Sequence, residues 1–186
     1  MPRRFHPGVL VLLTLVAIVV AVLIGRFTGV GETGTPGTSP QPSTAPVAET
    51  AAGGIPSGAT EATVEYVHDG DTLFLTDGRK VRMLGINTPE IGDRLECYGD
   101  ESTALLRQLL PEGTHVWVLP DLEPLDQYGR SLLFIYTDDA TNINLELLRQ
   151  GAAEVEMYSP NLLFQAEIEA TERAAIDAGA GMWGAC

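Results

Sequence analysis

The chain has 186 residues, 45% of them hydrophobic, which suits one modest folded domain with appendages. Its 25 acidic and 11 basic residues give a formal net charge of −14, which excludes the overall basic balance usual in nucleic-acid-binding proteins. The two cysteines do not have the spacing of a zinc site.

The first pattern along the chain is an apolar, uncharged run over residues 8–25. Its length of about eighteen residues lies at the lower edge of what spans the hydrocarbon core of a bilayer. Arg3 and Arg4 precede the run, so the positive-inside rule keeps the N-terminus cytoplasmic and sends the rest of the chain outward. Residues 1–27 are therefore predicted to be a single-pass membrane anchor. The alternative is a signal peptide cleaved near residues 45–48, which would give a secreted protein.

Residues 28–59 are rich in Gly, Thr, Pro, Ser and Ala and show no apolar periodicity. Such a segment cannot bury a core, so we expect a flexible linker. The folded domain is predicted to cover residues 60–186, in which 23 acidic residues outnumber eight basic ones. This excess of negative charge predicts slow encounter with polyanions.

Within the domain, alternating apolar residues and Asp-Gly turn signals indicate short strands, followed by helical spacing. Strands are predicted at 63–67, 72–75, 80–84, 115–119 and 131–136. Helices are predicted at 100–110, 144–149 and about 160–178. This order is typical of an α+β fold that is mainly β, in which five strands form an OB-type barrel with about three helices.

Four charged residues fall at the turns and strand ends of the predicted barrel, namely Asp71, Arg82, Glu90 and Arg130. Phosphodiester hydrolysis needs a cation to polarise the phosphate, a base to take a proton from water, and positive charge for the pentacovalent transition state. Each residue alone is an ordinary turn or surface residue. Together they could supply a cation ligand, a base and two guanidinium groups, and this combination indicates phosphodiester chemistry.

The same stretches resemble the staphylococcal nuclease (thermonuclease) family over about residues 64–183. The matching motifs, in chain order, are Asp-Gly-Asp-Thr (69–72), Val-Arg-Met-Leu-Gly-Ile-Asn-Thr-Pro-Glu (81–90), Tyr-Gly-Arg-Ser-Leu (128–132) and Leu-Leu-Arg-Gln-Gly-Ala-Ala (147–153). The resemblance implies an OB-fold barrel. It also implies a calcium-dependent endonuclease that hydrolyses DNA and RNA to 3′-phosphate products.

The resemblance further implies a role for each matching residue. Asp71, the side chain of Asn87 and the carbonyl group of Thr88 would bind Ca²⁺, and Asp69 would support the metal without touching it. Arg82 and Arg130 would hold the scissile phosphate, and Glu90 would be the general base or position the attacking water. Tyr128 and Tyr158 match positions that border the nucleotide pocket.

Three features depart from the family pattern. Asn87 replaces the usual aspartate, so we expect weaker calcium binding. The lysine-rich surroundings of the staphylococcal enzyme are absent. Glu156 lies two residues before Tyr158, where an aromatic residue is expected. These departures leave the preference between DNA and RNA open.

The two cysteines and the setting of the domain complete the predictions. In an exported domain, Cys97 and Cys186 are expected to form a disulfide, with two unpaired thiols as the alternative. We expect the N-terminal helix to contact the membrane and the domain to lie outside the cytoplasm. No obligate protein partner is implied.

A second hypothesis is a catalytically weak or inactive OB-fold module that binds nucleic acid or a protein partner at the cell surface. A module without catalysis would be expected to lose Arg82, Glu90 or Arg130. All three are present, which favours the enzyme.

Overall fold

The computed structural model describes residues 54–186. The predicted anchor at 1–27 and residues 28–53 of the predicted linker lie outside the described residues. Within the described part, no helix has both the length and the apolar surface needed to cross a membrane.

The described chain forms a five-stranded barrel with helices packed around it. In chain order its elements are β1 (Thr60–Val67), β2 (Thr72–Leu75), β3 (Lys80–Met83), β4 (Gly85–Asn87), a 3₁₀ turn (Gly92–Arg94), α1 (Gly99–Leu109), β5 (His115–Leu125), β6 (Ser131–Tyr136), α2 (Ile143–Arg149), β7 (Glu154–Glu156), α3 (Gln165–Ala178) and α4 (Met182–Ala185). The barrel closes in the order β1-β2-β3-β6-β5. The predicted α+β class and closed barrel are therefore confirmed.

Buried apolar side chains of the strands fill the barrel. On β3, Val81 and Met83 are almost completely buried, whereas Arg82 between them is partly exposed, which is the pattern of a strand with one buried face. On β6, residues 133–136 are all buried. Asn144 at the start of α2 is also fully buried, and its amide donates to the carbonyl of Leu84 at 2.8 Å. This bond fixes α2 against the end of β3.

Of the predicted elements, the fourth strand and the last helix differ most from the structure. β5 continues to Leu125 instead of ending at residue 119, and its pairing with β6 is irregular between Pro120 and Leu125. The last predicted helix begins at Gln165, not near 160. Asn161 instead donates to the carbonyl of Glu123 at 2.9 Å. This hydrogen bond holds the loop before α3 against the second half of β5.

A small second sheet was not predicted. In it, β4 pairs antiparallel with β7, and Asn87 lies opposite Glu154. Each strand has three residues, which is too short for a periodic pattern to be recognised. The consequence for the site is that β7 places Glu154 opposite the last residue of β4 and Glu156 opposite its first residue, Gly85.

Cys97 and Cys186 form a disulfide across 89 residues of sequence, with their Cα atoms 6.1 Å apart, as predicted. It joins the last residue of the chain to the loop between β4 and α1. In the chain-entropy model, closing a loop of this length stabilises the domain by about 4.6 kcal/mol.

Candidate active site

The two candidate phosphate-binding arginines lie on one seam of the barrel. β3 and β6 run parallel, and their register pairs Arg82 with Leu132. Paired residues point to the same side of a sheet, and side chains alternate along a strand. Because the neighbours of Arg82 fill the interior, Arg82 points outward. Arg130, two residues before Leu132, lies on the same outer side.

A cleft of about 620 Å³ lies along this seam. Among its lining residues are five that the sequence predicts for phosphate binding, catalysis or the nucleotide pocket, namely Arg82, Glu90, Tyr128, Arg130 and Tyr158. Both tyrosines are largely exposed at its edge. The cleft therefore joins residues that are up to 76 positions apart in sequence.

Arg130 is held in place by Asp126 and keeps part of its guanidinium group open. Its Nε donates to Asp126 Oδ2 at 2.6 Å, and its backbone N–H donates to Oδ1 at 2.9 Å. Within the described residues, its two terminal Nη groups have no acceptor. Burial raises the pKa of Asp126, but the hydrogen bonds from Arg130 and Tyr128 outweigh it and hold this pKa below the usual value. An ionised Asp126 thus orients a guanidinium whose outer donors can take a phosphate.

The turn that presents Arg130 follows from local sequence. Asp126 also accepts the backbone N–H of Tyr128 at 2.9 Å, and Gly129 has φ of +77°, which favours glycine. The predictions did not include Asp126. An aspartate three residues before a turn glycine and four before the arginine is the signal that could have identified it.

Arg82, in contrast, has an ion-pair or hydrogen-bond partner at each of its three guanidinium nitrogens. Its side chain is 12% exposed, and a guanidinium group has five N–H donors. Its Nε lies 3.3 Å from Asp71 Oδ1. Its terminal nitrogens donate to four acceptors, which are the carbonyls of Met83 (2.7 Å) and Ile86 (2.6 Å), Asn87 Oδ1 (3.1 Å) and Glu156 Oε2 (2.8 Å). A phosphate can reach Arg82 only by replacing one of these partners.

Three of the candidate metal residues, Asp69, Asp71 and Thr88, lie together at the turn between β1 and β2, and Arg82 contacts both Asp71 and Asn87. Asp71 is 7% exposed, and its Oδ2 accepts the backbone N–H and the hydroxyl of Thr88 at 3.0 and 3.2 Å. A Cβ atom at Gly70 would lie 2.6 Å from Thr88 Oγ1, so glycine is required for the two loops to approach. Asp69 accepts the backbone N–H of Thr72 at 2.8 Å and stabilises the same turn.

Burial raises the pKa of Asp71 above its usual value, and the Arg82 guanidinium only partly offsets this effect. The nearby carboxylate of Asp69 raises it further. A second positive charge beside Asp71 would therefore favour the ionised form of this carboxyl group.

The oxygen ligands available here are of the type that calcium takes, since Asp69 and Asp71 offer carboxylates and Asn87 and Thr88 offer carbonyls. Among the residues described, no group of three or more His, Cys, Asp and Glu side chains is arranged around a metal position. The carboxylate of Asp71 and the side-chain oxygen of Asn87 already accept hydrogen bonds. Cation binding at this turn thus requires some of these hydrogen bonds to be exchanged for metal contacts.

Glu90 is fixed through its backbone and free in its side chain. Its backbone N–H donates to Glu96 Oε2 at 3.0 Å, and its carbonyl accepts the N–H of Glu96 at 2.9 Å. A Cβ atom at Gly99 would lie 2.3 Å from that carbonyl, so α1 packs closely against it. The exposed carboxylate has no hydrogen-bond partner within the described part and lines the cleft. It is therefore available to contact water or substrate.

Glu156, noted in the sequence only as a departure, connects two site residues. Its Oε2 accepts from Arg82 and its Oε1 accepts the hydroxyl of Tyr158, each at 2.8 Å. The hydrogen bond to Glu156 raises the pKa of Tyr158. No local pattern shows this link, because it depends on the pairing of β4 with β7.

The chain is similar to known nucleases. A family model described as "Staphylococcal nuclease homologue" matches residues 80–185. The chain is 30% identical over 126 residues to the thermonuclease of Staphylococcus intermedius, which covers 64% of this chain and 74% of that protein. It is 29% identical over 135 residues to the thermonuclease of Staphylococcus hyicus, with 68% and 79% covered. An uncharacterized endonuclease of Escherichia coli O157:H7 is 36% identical over 100 residues, with 52% and 61% covered.

Proposed function

Because the chain belongs to the staphylococcal nuclease family and is a nuclease that hydrolyses phosphodiester bonds, we propose that it is a calcium-dependent endonuclease. It cleaves DNA and RNA to 3′-phosphate products. The observation that carries the proposal is the cleft that joins Glu90, which has a free carboxylate, to Arg130, which has open Nη donors. The nuclease relatives and the presence of both residues disfavour the alternative of an inactive binding module.

In this mechanism the scissile phosphate lies between Arg130 and Glu90. Glu90 takes a proton from the attacking water, and the new oxygen–phosphorus bond forms as the bond to the 5′ oxygen breaks. The leaving 5′ oxygen takes a proton from solvent water. Because the bond that breaks is the one between phosphorus and this oxygen, the phosphate stays on the 3′ side. The Nη groups of Arg130 donate to the phosphate oxygens as negative charge develops on them. Asp71, Asn87 and Thr88, with Asp69 in support, would hold Ca²⁺, which would supply further positive charge when bound.

The calcium requirement is tested by removing the metal and by restoring the missing carboxylate. We expect EGTA to abolish cleavage and calcium to restore it. Asn87→Asp adds an anionic ligand and is expected to tighten calcium binding roughly tenfold, about 1.4 kcal/mol, as measured by calorimetry.

The matched control is Gln108→Glu, which adds the same charge at an exposed position of α1. It is expected to leave calcium affinity unchanged. Equal affinities for Asn87→Asp and the unaltered protein would show that Asn87 is not a ligand.

The domain is further proposed to act outside the cytoplasm, attached by the predicted anchor at 1–27 or secreted after its cleavage. The Cys97–Cys186 disulfide supports this location, since such bonds persist in oxidising compartments. Protease added to intact cells is expected to digest the domain of an anchored chain. Full protection in intact cells, with digestion only after lysis, would contradict the proposed location.

A further inference from the structure

Arg82 has one partner that differs from the others. The carbonyls of Met83 and Ile86 belong to the backbone beside it, and Asp71 and Asn87 are side chains within 11 positions of it. Glu156 comes from β7, 74 positions away, and its side chain is 33% exposed and lines the cleft. Of the charged partners of Arg82, Glu156 is therefore the one in direct contact with the cleft.

The carboxylate of Glu156 occupies a position that suits a phosphate oxygen. Guanidinium groups bind carboxylates and phosphates through the same planar array of N–H donors. At 2.8 Å from Arg82 Nη2, Glu156 Oε2 has the distance of a charge-assisted hydrogen bond. A substrate phosphate that approaches Arg82 from the cleft thus meets an anion already in place.

Glu156 also has a second hydrogen bond, which its carboxylate can keep when the contact with Arg82 breaks. Its Oε1 accepts the hydroxyl of Tyr158, which is 68% exposed at the edge of the cleft. If the Arg82 contact breaks, the bond to Tyr158 can persist while the carboxylate turns towards solvent. Asp71 on the buried side and Glu156 on the cleft side together leave Arg82 with no net positive charge to offer.

We infer that Glu156 lowers the affinity of the cleft for substrate by competing with the substrate phosphate for Arg82. This inference rests on the proposed nuclease function of the cleft. The competition weakens substrate binding in the ground state and the transition state alike, because the carboxylate must be displaced before either forms. Uniform weakening of this kind raises KM and leaves kcat nearly unchanged.

The direct test is a titration of the full-length protein with inorganic phosphate in calcium-free buffer, followed by ³¹P NMR. Glu156→Ala exposes an Arg82 donor to the cleft, and we expect it to bind phosphate at least about fivefold more tightly than the unaltered protein. Glu156→Gln keeps the shape of the side chain and can still accept from Arg82, so it preserves the fold and should give a smaller increase of the same sign.

The matched control is Glu123→Gln. Glu123 lines the same cleft and is exposed, but within the described residues its carboxylate does not contact Arg82. Glu123→Gln removes the same charge as Glu156→Gln, so a general electrostatic effect would increase phosphate affinity equally in these two variants. Equal affinities for Glu156→Gln, Glu156→Ala and Glu123→Gln would overturn the inference, as would weaker phosphate binding by both Glu156 variants.

Steady-state cleavage of single-stranded DNA in calcium gives the second measurement. Glu156→Ala is expected to lower KM about fivefold with kcat within about twofold. A fall in kcat with unchanged KM would contradict competition at Arg82. If no protein in the series cleaves DNA, the endonuclease proposal fails, and the phosphate titration alone decides the role of Glu156.

Discussion

Arg130→Ala is expected to lower kcat/KM for single-stranded DNA by about two to three orders of magnitude while the domain stays folded. The reason is that Arg130 offers open Nη donors to the cleft, whereas every donor of Arg82 has a protein partner. Loss of Arg130 therefore removes the guanidinium that can contact a phosphate without prior exchange. Steady-state kinetics measure the effect, and far-UV circular dichroism checks the fold.

Two further variants make this result specific. Arg130→Lys keeps the charge but loses the planar pair of donors, so at least about a tenfold loss is expected. Arg149→Ala removes an exposed arginine of α2 that pairs with Glu146 and does not line the cleft, and it should keep full activity. Activity of Arg130→Ala within about threefold of the unaltered protein would rule out its role in transition-state stabilisation.

Glu90→Gln is expected to lower kcat by about two or more orders of magnitude with little change in KM. The substitution keeps the shape of the side chain and removes the carboxylate that takes the proton from water. Stability should hold, because the contacts of Glu90 with Glu96 and Gly99 involve its backbone. The kinetics are measured at saturating calcium so that any change in metal affinity does not enter kcat.

Glu112→Gln is the control for Glu90→Gln, since Glu112 is an exposed glutamate in the turn before β5 and lies outside the cleft. It should behave like the unaltered protein. A Glu90→Gln enzyme that retains a third or more of its kcat would exclude Glu90 as the general base.

The barrel could be predicted because its strands are short apolar segments bounded by turn residues. In β3 the burial alternates along the strand, whereas residues 133–136 of β6 form a continuous apolar run that is buried throughout. The outer half of β5 could not be predicted, since it contains Pro120 and charged residues and pairs irregularly. β4 and β7 have three residues each and are stable because they pair with each other, which is a tertiary effect.

The members of the site could be predicted from their motifs, but their hydrogen bonds could not. Arg82 looks like a free phosphate ligand in sequence, whereas in the structure Glu156 and Asn87 occupy its Nη2 donors. That contact depends on a strand pair separated by about seventy residues. The side chain of Asn87 likewise faces Arg82 and Glu154, a surrounding that its neighbours in sequence do not indicate.

The most direct test of the account is to incubate the full-length protein with a single-stranded DNA oligonucleotide, in calcium or in EGTA, and to identify the product ends by mass spectrometry. We predict fragments in calcium alone, each with a new 3′-phosphate and a new 5′-hydroxyl. Fragments that end in a 3′-hydroxyl, or cleavage that proceeds equally in EGTA, would contradict it.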